Sequence, residues 1–396
     1  MSPSNHSPWL NRFAWFVVAA TLVLIGSGGL VTSKGVGLAV PDWPTTFGYN
    51  MFLFPFSKWI GGVFFEHSHR LIASSVGMFT LLLAVWLWGR ETSGAKRWLG
   101  MISMALAVAV LGIRTQPAHV FLGSIAIGIA ALGTWQALKN PGSVRWLGVI
   151  ALGAVILQGV LGGLRVTMLK DEIGIFHACL AQAFLGLLIL VALITSRRWR
   201  SLTTLTPASP GTVNRIVRLA IATGVMVYLQ LALGATMRHQ HRDLAILDFP
   251  TANGQWIPDT SETAIAKINA WRDTQALSDV NAFQIWLQML HRFGAVLIAV
   301  GAIAIWSAVR KADRKIPLLQ NLSNLLVGLV LCQIALGAWT IWSNKAADIA
   351  TIHVTVGAMI FGLTIAICAI SWRLRYLGAK AEPADPITPA RLAVSS

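Results

Sequence analysis

Charged side chains make up only 12% of the 396 residues, about half of what a soluble domain carries. The chain therefore has too little charge to clothe a water-facing surface. Acid is scarcer still, with 15 Asp and Glu against 31 Lys and Arg. Cysteine is nearly absent. Cys179, Cys332 and Cys368 all fall in apolar runs and none in a connecting loop, which excludes a disulfide framework.

What fills the chain instead is apolar sequence, 55% of it. Ten runs approach or exceed the roughly 18 residues that cross a bilayer as a helix. They lie near 12–33, 69–89, 97–113, 119–138, 145–164, 175–195, 215–237, 285–309, 320–342 and 351–373, the third being short. The expected fold is an all-α integral membrane protein with the lipid bilayer as its solvent. The short polar stretch before the first run leads us to expect no cleaved signal peptide. The net charge of +16 could suggest a nucleic-acid partner, but its distribution excludes one. With the N-terminus inside, clusters such as Arg197-Arg198-Trp199-Arg200 and Arg310-Lys311-Ala312-Asp313-Arg314-Lys315 all fall on the inner side. Acid and base nearly balance on the outer side. This is the positive-inside pattern. It places both termini, including a tail at 376–396, in the cytoplasm, and it fits a bacterial inner membrane.

An internal repeat organises the runs. Leu38-Ala39-Val40-Pro41-Asp42-Trp43-Pro44 matches Leu244-Ala245-Ile246-Leu247-Asp248-Phe249-Pro250, and the same register aligns Gly28 with Gly234. Each copy continues with His-Arg (His69-Arg70, His291-Arg292), then Gln-x-x-Leu-Gly (Gln158 to Gly162, Gln333 to Gly337), then a further His (His177, His353). Two pseudo-symmetric four-helix units follow, at 12–195 and 215–375. An even number of helices per unit relates them by an axis along the membrane normal. The first His pair is separated by far more chain than the second. The excess at 97–142 makes an inserted two-helix hairpin, carrying Arg114 and His119, and Arg97-Trp98-Leu99-Gly100 within it resembles Arg145-Trp146-Leu147-Gly148. Two long outer loops, near 34–65 and 238–284, are of the length that usually carries function, and Thr260–Ser278 suits a short surface helix. Gln230 to Gly234 is a third Gln-x-x-Leu-Gly copy; such glycines let a flat cofactor approach, or serve helix packing alone.

All four histidines fall at outer helix ends, at similar depth. Imidazole is the usual axial ligand of haem iron, and a bundle core brings two such groups together from facing helices. Arg70 and Arg292, near headgroup level, could pair with haem propionates. Interfacial histidines satisfied by water remain the plainer alternative. Metal-ion transport would require carboxylates or thiols beside the histidines, and only one is present. That one is Glu66, three residues before His69 and on the same helix face; the second copy has Gln288 there. A carboxylate beside one haem suits general-base work or stabilisation of a cationic intermediate, while helix-dipole stabilisation would explain it without chemistry. His67 points away from Glu66, towards an interface. His239 and His241, in Arg238-His239-Gln240-His241-Arg242, are solvated or touch propionates.

With Glu66-x-x-His69-Arg70 and the placement of His177, His291 and His353, the chain resembles the haem A synthase family over roughly 12–375. The resemblance implies a membrane oxidoreductase of terminal-oxidase assembly that converts the C8 methyl of haem O to a formyl group through successive hydroxylation. Haem O, the substrate, would lie between His69 and His177 in the first unit. Haem b iron would be ligated by His291 and His353 in the second. Glu66 matches the family's catalytic glutamate. Haem O synthase, the oxidase assembly machinery and an unidentified electron donor or acceptor are the implied partners, with the haem sites near the outer face. The first outer loop lacks the cysteine pair that many bacterial members carry, and the hairpin at 97–142 is additional to the family's eight-helix fold. A di-haem cytochrome that only relays electrons, or a haem carrier, is the alternative reading.

Overall fold

The computed structural model describes residues 7–110, 116–204, 209–240 and 244–381. Twelve α-helices account for most of them: α1 (Pro8–Ser33), α2 (Gly61–Glu91), α3 (Gly94–Ala109), α4 (Gln116–Lys139), α5 (Arg145–Met168), α6 (Asp171–Ile194), α7 (Arg197–Ser201), α8 (Pro210–His239), α9 (Glu262–Thr274), α10 (Ala282–Arg310), α11 (Pro317–Trp342) and α12 (Ala347–Ala381). Among the described residues the only β pairing is two isolated bridges, Thr46 with Tyr49 and Ala252 with Gln255. The protein is an all-α integral membrane protein, as hydrocarbon demands: a helix satisfies its own backbone donors and acceptors where water cannot.

Nine described helices are long and apolar enough to span a bilayer. The exception among the ten expected is α3. Its 16 described residues rise about 24 Å at ~1.5 Å each, short of a hydrocarbon core of ~30 Å. Local chemistry sets the helix starts. Pro8, Pro210 and Pro317 occupy first-turn positions, where a missing N–H costs nothing. Asn281 and Gln284 form a reciprocal capping box at α10, and Ser261 caps α9, the surface helix expected within Thr260–Ser278.

The long helices pack in two matching circuits. In one, α1 contacts α2 and α6, and α5 contacts the same two; in the other, α8 contacts α10 and α12, and α11 contacts the same two. The circuits meet where α12 lies against α1 and α6, and α8 against α6. Their cores are separate clusters, one around Leu83, Leu185 and Leu188, the other around Ile305, Leu326 and Ile367. The inserted hairpin attaches at one edge, α3 against α2 and α4 against α5. The α4–α5 seam is close because Gly153 has no side chain: a Cβ there would sit 2.8 Å from the Ala126 carbonyl oxygen. Small residues are what let membrane helices touch backbone to backbone.

Candidate functional site

Each of the four histidines occupies the same kind of nest. The ring of His69 lies over Gly28 of α1, His177 over Gly162 of α5, His291 over Gly234 of α8 and His353 over Gly337 of α11. A Cβ added at these glycines would meet the imidazole Cε1 at 3.0, 3.4, 3.4 and 3.2 Å respectively. The flat group admitted by the glycine is therefore the histidine itself. The motif's glutamine has the companion task. Gln158 donates to the backbone carbonyl of His177 (3.1 Å) and Gln230 to that of His291 (2.7 Å), while Gln333 stands 3.4 Å from the ring of His353. The repeat is thus finer than two halves: it is four hairpins, each a glycine helix followed by a histidine helix.

The nests leave a donor set that suits a porphyrin. All four histidines are half-buried, and the Nδ1 atoms of His177, His291 and His353 are enclosed without a protein partner. Ser27 Oγ lies 3.1 Å from the Leu24 carbonyl and 2.7 Å from His69 Nδ1. With the hydroxyl proton on that carbonyl, Nδ1–H donates to the serine and the lone pair falls on Nε2, the arrangement that presents an imidazole to a metal. The rings of His291 and His353 have centroids 6.5 Å apart. Two imidazoles joined through one iron, each bonded at about 2 Å with its ring centre about 1 Å beyond the nitrogen, stand roughly 6 Å apart by centroid. Among the described residues no three His, Cys, Asp or Glu converge on a bare-ion site. Two imidazoles suit a metal that brings its own equatorial ring of donors.

Beside the nests the outer loops close as a matched pair. Asp42 accepts from the N–H groups of Phe47 (2.7 Å) and Gly48 (2.9 Å) and from the Thr45 hydroxyl. Asp248 accepts from Asn253 (2.7 Å), Gly254 (3.0 Å) and Thr251 (2.6 Å). Burial pushes both carboxyls up, but the hydrogen bonds outweigh it and hold both below the ordinary 3.8. Each loop is then latched to the helix carrying its first histidine. At Ile246 Gln288 makes both bonds, its oxygen accepting from the N–H (2.9 Å) and its amide donating to the C=O (3.0 Å). In the first unit the task is divided: Glu66 accepts from Val40 N–H (2.8 Å) and Arg70 donates to Val40 C=O (2.7 Å). Arg70 and Glu66 also pair at 2.7 Å, both buried.

These latches correct the expectation that Arg70 and Arg292 reach propionates. Arg70 also donates to the carbonyls of Asp42 and Thr45, and Arg292 to those of Asp248, Pro250 and Thr251. The turn carbonyls that face the helix engage the Nη groups of both arginines. Two further arginines, not singled out by the motifs, lie near the histidines. Arg165, at the outer end of α5, lies over Gly37 and Gly174, within electrostatic reach of Glu66, Asp171, His69 and His177. Arg238, at the end of α8, donates to the Gly29 carbonyl and Ser33 hydroxyl of α1, with His353 in range of its charge. Their signal was available: each stands about one turn beyond a motif glycine, Gly162 or Gly234. His67 is fully buried, its Nδ1 3.1 Å from the Thr46 hydroxyl and its ring between Phe54 and Trp59, so it packs the loop. His239 sits against Gly174. Arg114, His241 and the side chain of His119 lie outside the described residues.

Fold and site together define a membrane protein with two paired-imidazole centres, one marked by a carboxylate. A family described as cytochrome oxidase assembly protein, COX15-CtaA, matches residues 118–365. The chain belongs to this family. It is 25% identical over 360 residues to a heme A synthase of Shouchella clausii, covering 89% of this chain and 94% of that protein. A heme A synthase of Geobacillus kaustophilus is 23% identical over 393 residues, 96% of this chain and 98% of its own. One from Rhizorhabdus wittichii is 28% identical over 231 residues, 57% and 61% of the two chains.

Proposed function

We propose that this chain is a haem A synthase, a membrane oxidoreductase that converts the C8 methyl of haem O to a formyl group for terminal oxidase assembly. Haem O is the substrate and lies between His69 and His177. His291 and His353 hold haem b, which supplies one-electron transfer when bound. The observation that carries the assignment is the single asymmetry between two otherwise matching latches: Glu66 in one unit, Gln288 in the other. Both oxygens of Glu66 already accept hydrogen bonds. What the carboxylate has left to offer is its negative charge, fixed beside the helix face of His69, and that charge stabilises positive charge developing on the substrate. Arg165 and Arg238 take the anionic propionates at the outer ends of the two sites. The positive-inside pattern supports cytoplasmic termini and outer-face haem sites in a bacterial inner membrane. Haem O synthase and the oxidase assembly machinery are the proposed partners.

The second unit supplies the control for the test. Gln288 demonstrates that an amide can serve as the latch, so Glu66→Gln removes the charge while the loop stays closed. In a host that makes haem O, Glu66→Gln should lower haem A formation about 100-fold or more, the usual effect of removing one preorganised electrostatic group. Both haems should remain bound. Full conversion by a variant with normal haem content would refute the role of Glu66. Absence of haem A from the parent protein, with donors present, would leave an electron-relay cytochrome as the better reading.

A further inference from the structure

The inserted hairpin does more than extend the molecule. At the end of the bundle remote from the histidines, the α2–α3 turn and the α4–α5 turn enclose a groove of about 720 Å³. Arg90, Arg97 and Arg145 line it, with Glu91 as its one carboxylate. Glu91 is already engaged, accepting from the Ser143 hydroxyl and Val144 N–H at the start of α5. None of the three arginines forms an ion pair among the described residues, whereas Arg70 pairs with Glu66. Their backbone contacts aim them instead: Arg97 Nε donates to the Thr92 carbonyl (2.8 Å) and Arg145 to that of Glu91 (3.1 Å). Arg145 also rests against the edge-to-face pair Trp88 and Trp146, its guanidinium carbon 5.5 and 5.1 Å from the two ring centres. Three guanidinium groups, two of them oriented by these contacts, around a space of this size make a receptor for phosphate oxygens.

The surroundings set the depth. The groove lies at the termini of membrane-spanning α2, α4 and α5. On the hairpin helices Trp98 follows the lining residue Arg97 in sequence and Trp135 lies five residues before the lining residue Asn140, both exposed, and Lys139 lies 3.9 Å over the ring of Trp135. Tryptophan gathers at headgroup level, and basic pockets between helices at that level take anionic headgroups. We propose that this groove binds the phosphate of an anionic phospholipid, with Arg97 from the insertion and Arg90 and Arg145 from the helices on either side of it closing on one headgroup. A free phosphate offers the same oxygens; the aromatic flank, which would contact glycerol and acyl carbons, favours the lipid.

The experiment uses the full-length protein in detergent, with retained phospholipid counted by native mass spectrometry during titration with phosphatidylglycerol or phosphatidylcholine. Arg145 is left alone because it also joins α2 to α5. The variant is Arg90→Gln/Arg97→Gln, with Arg90→Lys/Arg97→Lys as its charge-conserving partner. A basic side chain near the headgroups contributes about fivefold to binding, so the Gln pair should weaken phosphatidylglycerol retention about 30-fold. The Lys pair should keep most of it, and phosphatidylcholine should be indifferent to both. Equal retention of phosphatidylglycerol by parent and Gln pair overturns the proposal. So does displacement of the lipid by millimolar inorganic phosphate, which would assign the groove to a free anion.

Discussion

At the scale of single residues, the molecule is a set of four imidazoles whose positions are decided by four absent side chains. Gly28, Gly162, Gly234 and Gly337 each face a histidine ring at van der Waals distance or closer. A larger residue at any of them pushes on one histidine and no other. This gives a site-by-site prediction. Gly337→Val pushes on His353 and should remove the b-type absorption of the purified protein as completely as His353→Ala does. Gly162→Val pushes on His177 and should leave that absorption intact while stopping haem A formation. A b-type spectrum unchanged in both Gly337→Val and His353→Ala would end the ligand assignment. The histidines were legible in the sequence because a duplicated pattern of titratable residues in apolar helices is conspicuous. The role of the glycines was not, since spacing cannot distinguish a residue that admits a cofactor from one that admits its ligand. Arg70 and Arg292 misled for a related reason. An arginine beside a ligand histidine is equally well placed for a propionate and for the turn carbonyls of Asp42 and Asp248, and only the path of the loop decides.

At the scale of elements, the outer loops are structures in their own right. The repeated Asp-aromatic-Pro-Thr sequence folds both into the same capped turn, and each is held to its histidine helix by the residues three before and one after the histidine. The sequence match at Asp42 and Asp248 was readable; the capping was not, because it depends on N–H groups five and six residues downstream. Both aspartates have folded values below 3.8. A depressed carboxyl contributes stability that is present above its unfolded value and is lost as pH falls through the folded one. The loops should therefore resist proteolysis unchanged from neutral pH down to about pH 5. Protection should fall away only below the ordinary carboxyl value. Asp248→Ala should cleave about fivefold faster in the second loop already at pH 7, the equivalent of the ~1 kcal/mol that such a cap contributes, with the first loop unaffected and no acid step remaining at the altered turn. Equal cleavage of parent and variant at pH 7 would show that the cap does not hold the loop.

At the scale of the whole molecule, two circuits with separate cores share one seam, and the chemistry proposed for them requires that seam to place one site against the other. Nine of the ten expected spans were legible as hydropathy; the tenth, α3, is too short to count as one. The seam was not, since lipid-facing and helix-facing apolar surfaces have the same composition in a membrane. Among the polar residues that cross it, one is charged and lies near both sites. Arg238 leaves α8 of the second circuit and donates to the Gly29 carbonyl and Ser33 hydroxyl of α1, next to the glycine that seats His69. Its charge lies near His353. A cation beside a haem favours the reduced, less positive state, so removing it lowers the reduction potential. In Arg238→Gln the b-type centre should titrate on the order of 40 mV lower, the one-electron equivalent of about 1 kcal/mol of charge interaction. Arg165→Gln removes the same charge from the other circuit, where it acts on His69 and His177, and should leave the b-type potential within error of the parent while impairing haem A formation. A spectroscopic redox titration of the two variants side by side separates a local electrostatic effect from general loosening of the fold. If both potentials fall equally, or neither moves, Arg238 is a brace between helices and its charge does not set the second site.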